Sequence, residues 1–228
     1  MGKRPVELGG DAKNGRNKIG WPTEKSTFTL DETAVTDIQF ELRGVRVPVD
    51  HGYALFCELA RLLPWLAEES SVGIHSIHGS DSGAGELLLN RRTKLVMRIP
   101  TERVDDLLVI VGETLSVGGN SLTIGGGKAK ALPRHTPLYA HRVTTGSTDE
   151  ADFTNDIMRL LDELGIETRF ICGKRQSIST DIGVVAGYSL MLHGLPVQHA
   201  LRMQQVGIGC YRKLGCGIFI PHKSINAI

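Results

Sequence analysis

The sequence predicts an α+β fold made of two tandem β-α-β-β-α-β units. Three observations carry that prediction. Short runs alternate apolar and polar residues at the two-residue period of a half-buried strand, as in Ile38, Phe40 and Leu42. Longer stretches place leucine and isoleucine on one face at helical spacing, as in Phe153, Ile157, Leu160, Leu161 and Leu164. The order of these elements occurs once before the glycine run Gly125-Gly126-Gly127 and once after it.

Residues 1–36 hold Gly, Lys, Asn, Thr and Pro with no sustained apolar period, so we expect a disordered extension there. A first strand starts near Asp37, continues through Val45 and Val47, and ends at Pro48. Asp50 is placed to cap a helix from Gly52 to about Leu66, with Ala54, Leu55, Leu59, Leu62 and Leu63 on one face. Pro64 kinks or closes its last turn. Val72–Ile77 alternates again, and Lys94–Ile99 ends a further strand region. Thr101, Asp105 and Asp106 open a second helix that reaches Gly112. Leu115–Ile124 then reads as strand around a Gly118-Gly119-Asn120 turn. The first unit therefore spans 37–127 and the second 128–228.

In the second unit a strand spans about Pro137–Thr145, and a helix spans Asp149–Leu164 with Gly165 as its stop. Thr168–Cys172 and Ile182–Leu192 read as strands around a polar tip, Gly173-Lys174-Arg175-Gln176. Pro196–Val206 reads as a helix with proline in its first turn, and Gly215–Pro221 as the last strand. This order in both units is the ferredoxin-like arrangement.

Composition narrows the function. The chain has 228 residues, 41% hydrophobic and 22% charged, as in water-soluble domains, and no apolar run long enough for a membrane helix. No apolar h-region follows the basic Met1–Pro5 segment, which argues against a secretory signal. Cys57, Cys172, Cys210 and Cys216 form no C-x-x-C pair, so neither a zinc site nor a disulfide framework is expected, and a reducing cytoplasm suits them. Cys57 reads as a core residue of the first helix. The formal net charge is only +1, yet from Arg169 onward seven basic side chains face the single acid Asp181. Such polarity suits a polyanion at one end of the chain, or an ordinary solvated basic face.

Four constellations bear on chemistry. The stretch 207–217 carries Gly207, Gly209, Gly215 and Gly217 with Arg212 and Lys213. It reads either as a phosphate grip of backbone amides or as a glycine turn closing the domain, and it lacks the spacing of a P-loop. His51 opens the first helix, where the dipole attracts phosphate and an imidazole can exchange protons near neutral pH. The alternative is an exposed capping histidine. Tyr53 is the neighbouring hydroxyl. His75 and His78 face opposite sides if they share a strand, while His135, His141, His193, His199 and His222 read as scattered. Cationic tips at Arg91, Arg92 and Lys94, and at Lys174 and Arg175, can reach phosphates or serve as ordinary charged loops. No acidic cluster has metal-ligand spacing, which disfavours a metal nuclease.

Taken together these segments resemble the CRISPR repeat-RNA endoribonuclease family, in the subfamily of the myxobacterial-type Cascade systems. The resemblance rests on Pro48-Val49-Asp50-His51-Gly52-Tyr53-Ala54-Leu55, Ala60-Arg61-Leu62-Leu63-Pro64-Trp65-Leu66 and Gly73-Ile74-His75-Ser76-Ile77. It rests equally on Gly207-Ile208-Gly209 and Leu214-Gly215-Cys216-Gly217-Ile218-Phe219-Ile220-Pro221. It implies a double ferredoxin-like fold, a bound CRISPR repeat hairpin, one metal-free and cofactor-free cut per repeat, and retention on the crRNA beside other Cascade subunits. It further implies that His51 is catalytic, with Tyr53 or Arg212 as positional candidates for stabilising charge, and that the glycine loop helps hold RNA. The products would be a 2′,3′-cyclic phosphate and a 5′-hydroxyl. Two rival readings are a non-cleaving guide-RNA hairpin-binding subunit and a ferredoxin-like enzyme acting on a small phosphorylated metabolite.

Overall fold

A computed structural model of the chain describes residue 31 and residues 34–222. Most of the expected N-terminal extension, and Lys223 at the other end, lie outside those residues. The first strand, β1 (Val35–Arg43), buries Ile38, Phe40 and Leu42. It does not continue through Val45 and Val47 as the alternation suggested. The chain turns at Gly44, Val45 stands exposed, and β2 (Arg46–Pro48) joins a separate small sheet.

Helix α1 (Gly52–Leu62) buries Leu55 and Leu59 and stops short of Leu66. Leu63 has left helical geometry, at φ −128° and ψ 79°, because the ring of Pro64 disfavours a helical residue before it. Pro64 then starts the single turn α2 (Trp65–Glu68). The strand expected at Val72–Ile77 is only β3 (Gly73–Ile74). The chain continues through β4 (Ser80–Asp81), β5 (Glu86–Leu88), β6 (Lys94–Pro100), the short helix α3 (Val104–Leu108), β7 (Thr114–Val117) and β8 (Asn120–Lys130). β8 passes through Gly125-Gly126-Gly127 and stays paired with β1 as far as Lys130, so the passage to the second sheet is residues 131–137.

The second half runs β9 (Leu138–Val143), α4 (Glu150–Glu163), β10 (Arg169–Thr180), β11 (Gly183–His193), α5 (Val197–Val206) and β12 (Ile220–Pro221). Asp149 caps α4 by accepting from the amides of Ala151 and Asp152, and Gly165 ends it at φ +63°. The first sheet has the order β3-β6-β1-β8-β7 and the second β10-β11-β9-β12. In each, the third strand of the repeat lies beside the first with the second strand beyond it, and the fourth lies on the first strand's other side. That is the ferredoxin-like order, with β7 added at one edge. Two tandem ferredoxin-like units is therefore the observed fold.

The predicted hairpin tip at Gly173–Gln176 is corrected. β10 runs unbroken in the sheet from Arg169 to Thr180, and the turn falls at Asp181-Ile182. The register shifts between Cys172 and Arg175, so Lys174 sits in a β-bulge of an edge strand and Arg175, paired with Tyr188, directly follows it. Polar side chains are tolerated there because the strand is exposed, which is why local sequence resembled a turn.

Each sheet buries one face. Leu95, Met97 and Ile99 of β6 join Ile38 and Phe40 beneath α1, while Leu138 and Ala140 of β9 join Phe153 and Ile157 of α4. The alternate residues, Lys94, Val96 and Arg98 on β6 and Tyr139 and His141 on β9, occupy the other faces.

Candidate active site and nucleic-acid interface

His51 stands at the N-cap position of α1, but its side chain caps nothing and is only 4% exposed. Both ring nitrogens are engaged. Nδ1 lies 2.8 Å from the Pro48 carbonyl oxygen, and the Ile77 amide lies 2.9 Å from Nε2. An amide N–H can only donate, so Nε2 is the acceptor and Nδ1 carries the proton given to Pro48. Burial holds the imidazole below its ordinary pKa, only partly opposed by the Pro48 and Val49 backbone, so the ring is neutral at neutral pH. The expectation of an exposed capping histidine is thus corrected. Asp50, expected to cap α1, instead accepts the Ser179 amide at 2.8 Å and fastens the helix start to β10.

Tyr53 is exposed and is not brought to the His51 ring, because two residues in a helix turn about 200°. Its phenol lies beside Cys57 and near Asp181, both of which raise its pKa. Cys57 is likewise exposed rather than core.

The glycine loop runs from the end of α5 to β12. Gly209 and Gly217 have φ of +80° and +66°, and a Cβ on either would run into a carbonyl oxygen, of Thr144 and Ile208 respectively. The loop amides are also committed inward: Gly207 to Met203, Gly215 to Arg212 at 3.2 Å, Gly217 to Arg142 at 2.8 Å. Gly209 and Gly217 thus allow close packing of backbone on backbone, and the amides of Gly207, Gly215 and Gly217 are occupied within the fold of the free protein.

Arg212 is also turned inward. Its Nη1 donates to the carbonyls of Gln205 and Val206, at the end of α5, whose last carbonyls have no helical partner. Burial, with Arg98 nearby, pushes its pKa down to about 10. Lys213 donates to the Ala67 carbonyl and borders, with Ser76 and Leu214, a small hollow over His51.

The open face of the first sheet and the β12 edge of the second bound a cleft of about 760 Å³, walled by Gln39, His78, Arg92, Lys94, Lys130 and Pro221 among others. Its floor is Arg98, which is fully buried. Arg98 holds both oxygens of Asp37 at 2.7 and 3.0 Å and donates to the Gln204 and Phe219 carbonyls at 2.8 and 2.9 Å, joining the two halves. His75 packs 3.7 Å from the same carboxylate. Burial raises the Asp37 pKa, but the nearby His75 ring and the Arg98 guanidinium outweigh it and hold the carboxyl well below its usual range.

Of the expected cations, the cleft takes Arg92 and Lys94. Arg91 is exposed on the same turn, and Lys174 and Arg175 are exposed on β10 away from the cleft wall. Sequence reading missed Lys130 and Arg98. The signal for Arg98 was present: once Leu95, Met97 and Ile99 enter the core, Lys94, Val96 and Arg98 must share the opposite face.

Comparison with known proteins places this architecture. The family model described as Cas6 CRISPR matches residues 36–224. A CRISPR-associated endonuclease Cas6 from Myxococcus xanthus (strain DK1622) is 38% identical over 186 residues, covering 81% of this chain and 80% of the relative. A solved Cas6-related protein from Pyrococcus furiosus shares the fold at 12% identity and a TM-score of 0.63, covering 85% of this chain and 100% of its own. A solved RAMP protein described as binding different RNA substrates does so at 12% identity and a TM-score of 0.62, over 82% of this chain and 100% of its own. The chain therefore belongs to the Cas6 family of CRISPR-associated endonucleases.

Proposed function

We propose that this chain is a metal-independent endoribonuclease. It holds a CRISPR repeat hairpin against the cation-lined cleft and cuts precursor crRNA once per repeat. Family membership across residues 36–224 is the observation that carries this reading. In the reaction the ribose 2′-oxygen attacks the adjacent phosphorus and loses its proton to a base. The P–O5′ bond breaks, and the 5′-oxygen takes a proton as it leaves, giving a 2′,3′-cyclic phosphate and a 5′-hydroxyl. The chain then remains on its crRNA as a subunit of a Cascade-type complex in the cytoplasm.

His51 is the proposed base. Its Nδ1–H is anchored on Pro48, which orients the Nε2 lone pair, and burial keeps that lone pair free of a proton at neutral pH. In the free protein the Ile77 amide occupies Nε2, so RNA binding must open that bond. Lys213, beside the same hollow, is placed to stabilise phosphorane charge once released from Ala67. The engagement of Nε2 also favours a second reading, in which the chain binds the hairpin without cutting.

The test incubates the full chain in EDTA with its repeat RNA, maps the cut, then repeats the assay with a 2′-deoxy at that position. Cleavage of the first RNA alone supports the reading. Tight binding without cleavage moves the assignment to the binding subunit, and neither binding nor cleavage refutes both.

A further inference from the structure

Four rings that the sequence scatters meet at the lip of the cleft. The centroids of His78 and His141 are 4.6 Å apart, those of Tyr139 and His141 4.9 Å, and those of Tyr139 and His222 5.4 Å. They come from three places in the fold. His78 lies in the irregular segment after β3 and lines the cleft itself. Tyr139 and His141 alternate on β9 with Leu138 and Ala140, which enter the core, so both stand on the sheet's open face. His222 follows β12, which pairs with β9 through Ile220 and Tyr139. The rings thus form a ladder from the cleft wall across that face. Tyr139 is half-buried and the three imidazoles are exposed.

The rings pack outside both hydrophobic cores, so the ladder is not part of the apolar packing of either half. Nor do His78 and His141 suit phosphate by charge. Although their outer faces reach solvent, lost hydration where the rings pack together holds His78 below its ordinary pKa and, with neighbouring His78 and Arg142, pushes His141 down to about 4. What His78 and His141 offer at neutral pH is a largely uncharged π surface, with the Tyr139 ring against His141. Charge is supplied beside it by Arg92 and Lys94 on the cleft wall. Aromatic faces next to cations suit an unpaired nucleotide, with the base on the rings and the phosphate on the cations.

We propose that Tyr139 and His141, flanked by His78 and His222, form a stacking platform for an unpaired nucleobase beside the repeat hairpin. This rests on the reading of the cleft as an RNA site. The platform would fix where the single strand leaves the hairpin, and so the register of the RNA in the cleft.

The test is fluorescence anisotropy of the full chain with repeat RNA carrying a 2′-deoxy at the mapped cut. A set of otherwise identical RNAs carries one abasic site each along the unpaired flanks. The expected result is a loss of about 5- to 150-fold at one flank position, the range for losing one stacked base. The double variant Tyr139→Ala/His141→Ala should bind all the RNAs with the reduced affinity, while His141→Phe should keep the preference. His78→Ala, altered outside any strand, should show a partial loss and guards against misfolding of β9. Equal binding of every abasic RNA by the unaltered chain, or a preference that survives the double variant, overturns the platform and leaves the endoribonuclease reading standing. No binding of any repeat RNA overturns both.

Discussion

Replacing Arg98 with Met should destabilise the protein by about 3–5 kcal/mol, the cost of removing one partner from a buried ion pair. The methionine refills the space of the arginine stem, so the loss falls on the guanidinium. That group makes two charge-assisted bonds to Asp37, at 2.7 and 3.0 Å, and two to main-chain carbonyls of the other half, at 2.8 and 2.9 Å. With no exposed surface at Arg98, water cannot substitute without reopening the junction. Asp37 would be left with His75, 3.7 Å away and held largely neutral by burial. For a chain of this length about 3–5 kcal/mol corresponds to a Tm lowered by roughly 6–20 °C. Differential scanning calorimetry at pH 7.5 would measure it, alongside the double variant Arg98→Met/Asp37→Asn. The double variant should recover part of the loss, because it no longer buries an unpaired carboxylate. A drop of under about 3 °C in the single variant, or no recovery in the double, would refute the clamp.

His51→Ala should slow single-turnover cleavage of repeat RNA by about 10²–10⁴-fold while leaving hairpin affinity nearly unchanged, and equal activity would remove His51 from the mechanism. Acid should weaken the fold early. The pKa values of His51 and His75 lie below the ordinary 6.5 in the folded chain, chiefly through burial, so their contribution is complete above about pH 6.5 and is lost as pH falls below it. A Tm at pH 5.5 equal to that at pH 7.5 would contradict this. Gly217→Ala forces a Cβ against the Ile208 carbonyl at φ +66°, and should cost at least about 1–2 kcal/mol in denaturant unfolding. Lys174→Ala/Arg175→Ala, at the exposed bulge, should leave stability within about 0.5 kcal/mol. If either cation meets RNA, the log–log salt slope of binding should become shallower by about 0.9 per lost phosphate contact, and an unchanged slope would exclude both from the interface.

Local pattern alone determined the repeated element order, and with it the fold. Ile38, Phe40 and Leu42 must share a face at a two-residue period, and Phe153, Ile157, Leu160 and Leu161 must share one at 3.6. Pro64 and Gly165 end their helices through constraints on their own backbone neighbourhood, which any reader of the sequence can apply. The linear chain also brought His51 to the start of α1, but not the state of its ring. That depends on Ile77, which is distant in sequence and supplies the amide on Nε2. The same holds wherever a polar group found a distant partner. Asp50 gave up its local cap for Ser179, Arg212 turned inward to the end of α5, and β10 stayed extended past Lys174 because β11 pairs with it. The histidine ladder is the extreme case, since its rings have no common spacing and meet only when β9, β12 and the segment after β3 pack together. Backbone period is a property of neighbours along the chain and survives in sequence, whereas the partner of a side chain is chosen by distance in space, which only the packed sheets decide.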